Sequence, residues 1–121
     1  MLKVYSRNLG DAAVLSLEGR LVSGETRSLR DAVRSQTKVS AIVLDLSRVT
    51  AIDARGLGVM LELRRQTALD GIRFKLMNVN RFTSRVLEVT RLNCVFEIIP
   101  KAEAVISPRI ARAQTRIAAC A

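Results

Sequence analysis

The chain has no histidine and no tryptophan among its 121 residues. Without histidine, general acid–base catalysis loses the one side chain that titrates near neutral pH on its own. Aromatic residues make up only 3%, which excludes most modules that stack nucleic-acid bases on aromatic platforms. The two cysteines, Cys94 and Cys120, have no ligand-spaced neighbours. A zinc site is therefore not expected, and the pair reads as two reduced thiols of a cytosolic protein rather than a disulfide. No apolar run approaches the length that spans a bilayer. The N-terminal Met-Leu-Lys-Val-Tyr-Ser-Arg lacks the apolar core of a signal peptide. These absences together read as a cytoplasmic protein that uses no metal or cofactor and inserts no segment stably into a membrane.

What remains is aliphatic and basic. The apolar fraction is 49%, so leucine, valine, isoleucine and alanine must supply the core. A single domain of this size buries roughly two-thirds of the surface its unfolded chain exposes, enough to fold without a staple. The net charge is +9, spread along the chain rather than gathered in one block. Spread charge is chiefly a solvated surface; nucleic-acid binding would rest on this charge alone, and no DNA partner is expected.

The pass along the chain gives the order β-β-α-β-α-β-α-β-α, an α/β domain with a mixed four- or five-stranded sheet and helices packed against it. Lys3 to Arg7 and Ala13 to Leu21 read as a hairpin around the turn-forming Asn8-Leu9-Gly10-Asp11. Ser23-Gly24-Glu25 reads as a helix start, followed by Leu29, Ala32 and Val33 at helical spacing. Ile72 to Val79 is a further strand, in which Arg73 and Lys75 alternate with Phe74 and Leu76. Asn80 can cap a helix whose apolar face is Phe82, Val86 and Val89. Val95 to Ile99 is the last strand, and Pro100 opens a short helix through Ile106.

The domain is expected to end at residue 106. Residues 107–121 form a basic C-terminal arm, with a break near Ser107-Pro108. As a helix the arm would place Arg109, Arg112 and Arg116 on one face and Ile110, Ala113 and Ile117 on another.

The most informative stretch runs from Ala41 to Gly58. Ile42, Val43, Leu44 and Leu46, interrupted only by Asp45, form a run that suits a strand buried on both faces. Asp53 then precedes Ala54, with Leu57, Met60 and Leu61 at helical spacing, the position from which a carboxylate caps a helix. The loop between strand and helix lies at the carboxyl edge of the sheet, where α/β proteins receive ligands and partners. Gly56-Leu57-Gly58 is no phosphate loop, for it lacks the Gly-Lys-Ser/Thr ending. Its glycines read as places of close backbone approach. Asp45 and Asp53 fall in different roles, strand and cap, and no residue set nominates an enzymatic reaction.

The same stretch resembles the STAS domain family, the domain of bacterial anti-sigma factor antagonists. The resemblance lies in Leu44-Asp45-Leu46-Ser47-Arg48-Val49 and Ile52-Asp53-Ala54-Arg55-Gly56-Leu57-Gly58, and continues through Glu62-Leu63-Arg64-Arg65 and Val86 to Leu92. Members carry Ile-Asp-Ser-Ser-Gly-Leu-Gly at the second motif. The resemblance implies partner switching in transcription regulation: an anti-sigma factor or kinase-like protein is bound, and phosphorylation of the serine directly before the first glycine releases it. That position is Arg55 here, so either the switch is lost or the domain serves another partner. The expected partner face comprises Leu21, Ser23, Gly24, Glu25, Thr50, Asp53, Ala54, Arg55, Gly56 and Leu57. Thr50 is the substitute phosphorylation site the sequence offers. A scaffold subunit of a sensory assembly, or of a lipid or solute transport system, is the alternative. Homodimerisation is left open.

Overall fold

The computed structural model describes residues 2–100 and the backbone of Arg116 and Ile117. Strands β1 (Lys3–Leu9), β2 (Ala12–Leu21), β3 (Ala41–Ile52), β4 (Arg73–Met77), β5 (Glu97–Ile98) and β6 (Arg116–Ile117) form one sheet in sequence order. The first pair is antiparallel, with Gly10 at φ 65° in the turn between its strands. β2, β3, β4 and β5 run parallel to one another. Helices α1 (Arg27–Arg34), α2 (Ala54–Leu69) and α3 (Arg81–Val89) are the crossovers between them. Each crossover steps one strand further in the same direction, so the right-handed rule puts all three helices on one face.

The core follows that geometry. Ala13, Leu15 and Leu17 of β2, Ile42, Leu44 and Leu46 of β3, and Phe74 and Leu76 of β4 meet Leu29, Val33, Leu57, Met60, Leu63 and Leu87 from the helices. The alternate positions point to the opposite face, where Val14, Val43, Met77 and Ile99 form a second buried cluster. β3 is thus buried on both sides through its middle, as its apolar run required. Asp45 stands on the helix-free face beside Ser16 of β2 and Met77 of β4, and accepts the Ser47 N–H at 3.0 Å.

Several local expectations give way. Ser23 and Gly24 form a turn, with Gly24 at φ 84° and the Glu25 N–H on the Val22 carbonyl. That turn delays the helix to Arg27, with Thr26 as its N-cap. The helix after Asn80 exists, and Asn80 caps it by accepting from the Thr83 N–H at 2.8 Å. Its buried face, however, is Thr83 and Leu87. Phe82 is 47% and Val89 72% exposed, so the expected apolar face points outward. The Asn80 amide decides the rotation: it also donates to the Val49 carbonyl of β3 at 3.0 Å, fixing how the helix enters.

The last expected strand shrinks to two residues, because a 3-10 turn over Leu92–Cys94 uses the preceding chain. Lys75, which alternates with Phe74 and Leu76, is itself wholly buried. Burial and the neighbouring Arg73 push its pKa down to about 8, against a smaller opposing effect of Glu97. Cys94 is disulfide-bonded, which corrects the expectation of two reduced thiols. Ile117 and Arg116 pair antiparallel with Glu97 and Ile98 of β5. The same pairing replaces the helical reading of Arg116 and Ile117. Cys120, the expected helix to Ile106 and the break at Ser107 lie outside the described residues.

Candidate functional site

β2 and β3 end side by side, with Leu21 paired to Ile52. Their continuations, the turn at Ser23 and the start of α2, are joined by one side chain. The Asp53 carboxylate accepts the Gly56 N–H at 2.8 Å through Oδ1, capping α2 as the sequence predicts. Its Oδ2 accepts the Ser23 N–H at 2.9 Å, thirty residues away in the chain. The Asp53 N–H in turn donates to the Leu21 carbonyl at 3.3 Å. The backbone donors of Ser23 and then Gly56 favour the ionised carboxylate and hold its pKa below the ordinary value. The cap is therefore also the clasp between two loops.

Gly56 completes the junction. A Cβ there would collide with the Leu21 carbonyl oxygen, and would stand 2.9 Å from the Leu21 carbonyl carbon and 3.1 Å from its Cγ. The helix start can lie this close to β2 only with glycine at that position. Gly58 differs: nothing stands within 4 Å of where its Cβ would be. Of the two glycines read as points of close approach, only Gly56 has its reason inside the domain.

Leu21, Gly56 and Leu57 are buried and form the support. Ser23, Gly24, Thr50, Ala54 and Arg55 are exposed above them, and Glu25 and Asp53 are half-buried at the edge. The ten residues singled out from sequence thus come together at one sheet edge, in two layers. Thr50 uses its hydroxyl on the Gly19 carbonyl at 3.2 Å. Arg55 sits in the first turn of α2, a turn that contains no acidic residue. The helix dipole disfavours a cation there by about a few tenths of a kcal/mol.

Sequence reasoning missed the extension of this surface. Arg30 of α1 reaches Glu62 of α2 at 3.4 Å, and the two helices frame a groove lined by Arg30, Ala54, Arg55, Gly58, Val59 and Glu62. Gly58, an exposed glycine inside a helix, was the available signal. No group of histidine, cysteine, aspartate or glutamate able to hold a metal occurs among the described residues. Among them, too, no helix is long and apolar enough to cross a membrane.

Residues 6–100 of the chain match a known family model, described as Mlab, STAS domain. The chain belongs to the STAS domain family. An anti-sigma factor antagonist from Mycobacterium paratuberculosis superposes with a TM-score of 0.75 at 19% identity, covering 86% of this chain and 90% of that one. A putative anti-sigma factor antagonist from Thermotoga maritima gives 0.74 at 25% identity, covering 84% and 90%. The crystal structure of Mglu gives 0.55 at 30% identity over 60% of this chain, which spans only 18% of that longer one. Of the two serines in the motif this stretch resembles, neither is present: the positions are Ala54 and Arg55. The first turn of α2 in this STAS domain has no hydroxyl.

Proposed function

We propose that this STAS domain is a regulator of the anti-sigma factor antagonist type, acting by protein–protein binding and without a phosphorylatable side chain at the start of α2. Its partner is an anti-sigma factor or related kinase-like protein. The docking face is the exposed layer of Ser23, Gly24, Thr50, Ala54 and Arg55, held by the Asp53 clasp. The observation that carries the reading is Arg55, an exposed cation placed against the helix dipole at the sheet edge that Asp53 clasps. The dipole of its own helix disfavours it there, whereas an acidic group on a partner would favour it.

Arginine is a frequent energetic centre of protein interfaces. No residue from Ala54 to Leu57 carries a hydroxyl, so addition of phosphate to this turn cannot serve as the release signal. The resemblance to anti-sigma factor antagonists across most of the chain supports the class of partner. The test is Arg55→Ser with its charge-reversing companion Arg55→Glu. Both variants should fold as the wild type does, and both should lose affinity for the partner, Arg55→Glu more. A variant that unfolds while its folded fraction binds normally would make Arg55 a structural residue and end this reading.

A further inference from the structure

The rotation of α3 leaves an apolar row whose two ends are exposed, while Val86 between them leans on the core. Phe82, Val86 and Val89 are spaced four and three residues apart and therefore share one side of the helix. Phe82 is 47% and Val89 72% exposed, while Val86 is half-buried at the shoulder. Arg81 and Arg85 are exposed along the flank of this row, and Arg91 is exposed just beyond the helix end in the left-handed conformation, at φ 62°. Glu88 is the one acid between Arg81 and Arg91. Thr83 and Leu87, on the neighbouring side, together with the Asn80 amide on β3, hold the helix down along the sheet.

We infer that this outer side of α3 seats on an anionic lipid surface, with Phe82 and Val89 entering the headgroup boundary and Arg81, Arg85 and Arg91 meeting phosphates. Charge decides between occupants. Phe82 and Val89 are exposed beside arginines, and a lipid interface yields around exposed apolar side chains where a folded protein would need a matching cleft. Arginines beside an apolar row keep their guanidinium groups at headgroup level while their stems lie along the apolar boundary. The surrounding charge has the sign that such a surface attracts, for the chain as a whole carries +9. Each arginine near an anionic surface strengthens binding by about fivefold. A two-turn helix with two well-exposed apolar side chains gives reversible binding, not insertion. None of these residues belongs to the face proposed for the protein partner.

The absence of tryptophan makes the test clean. Val89→Trp in the full chain supplies a single reporter on the row, and Tyr5→Trp supplies one on the helix-free side of β1, where Tyr5 is 54% exposed. Each is titrated with phosphatidylcholine vesicles with and without about 30% phosphatidylglycerol, the composition that sets the negative surface potential. The Val89→Trp emission should move to the blue with the anionic vesicles alone, and the Tyr5→Trp emission should stay unmoved. Adding Arg81→Gln and Arg85→Gln to the reporter should weaken partitioning about 25-fold. Phe82→Ser should weaken it too. Should Val89→Trp lose helical circular dichroism, Phe82→Trp reports from the other end of the row. Equal shifts from both sides would mean adsorption by net charge and would overturn the inference. So would no shift on the row, or partitioning that Phe82→Ser leaves unchanged.

Discussion

Gly56 and Gly58 stand two residues apart in one motif, yet alanine should act on them in opposite directions. At Gly56 the new methyl meets the backbone of Leu21, carbonyl oxygen and carbon alike, and Leu21 Cγ at 3.1 Å. A side-chain tip could move away, but this carbonyl also receives the Asp53 N–H. Either α2 shifts outward or the end of β2 is displaced, and both loosen the clasp between the two loops. Overpacking of this kind costs about 1–3 kcal/mol, from which the better helix propensity of alanine takes back at most about 1 kcal/mol. Gly56→Ala should therefore lose stability on balance. Gly58→Ala meets nothing within 4 Å, so only the propensity gain remains, about 0.5–1 kcal/mol in favour of alanine.

Urea unfolding followed by circular dichroism reads both. With a slope of about 1–3 kcal/mol per molar, the two midpoints should fall on opposite sides of the wild type, with slopes unchanged. Two midpoints displaced in the same direction would refute the reasoning, because the close approach at Leu21 would then not distinguish the two sites.

Four further outcomes follow from the same structure. Thr83 is fully buried on α3 and its hydroxyl has no hydrogen-bond partner, so the near-isosteric Thr83→Val should raise stability by about 1 kcal/mol in the same urea assay. Lys75 has a folded pKa lowered to about 8 from 10.5; between these values the unfolded chain holds more protons, so its contribution to stability rises with pH across that window. Lys75→Met should flatten that rise in thermal melts taken from neutral to alkaline pH. The depressed pKa of Asp53 works in the other direction: its stabilisation is present above the unfolded pKa and is lost as the pH falls through the lower folded value. Asp53→Ala should remove that acid dependence and make the Ser23 amide exchange faster. Amide exchange should also find Ile42 to Leu46 among the slowest segments, since both faces of β3 are buried there.

The parts of this protein legible in its sequence are those that local chemistry determines. The β-branched run of β3 needs two covered faces, and Asp53 and Asn80 each precede an apolar helix whose first amides need acceptors. The caps are found where they were read. The illegible parts depend on chain segments far apart. Asp53 clasping Ser23 joins positions thirty residues apart, and no local pattern announces it. On α3, Phe82-Val86-Val89 and Thr83-Leu87 are competing faces. Hydrophobicity favours the first, whereas the Asn80 contact with β3 and the packing of Leu87 select the second. Lys75 followed strand alternation, but the face it alternates onto is covered. The disulfide of Cys94 is invisible from cysteine spacing.

The central claim is that Arg55 anchors a protein partner at the clasped sheet edge. Its most direct test is the dissociation constant for the anti-sigma factor of the same cell, measured by titration calorimetry with wild type and Arg55→Glu at low and high salt. Loss of a buried interfacial charge pair costs about 2–5 kcal/mol, so the account predicts a weakening of about 30-fold or more, with the wild-type affinity the more sensitive to salt. An Arg55→Glu domain that keeps its fold and binds within about twofold of the wild type, at either salt concentration, would contradict it.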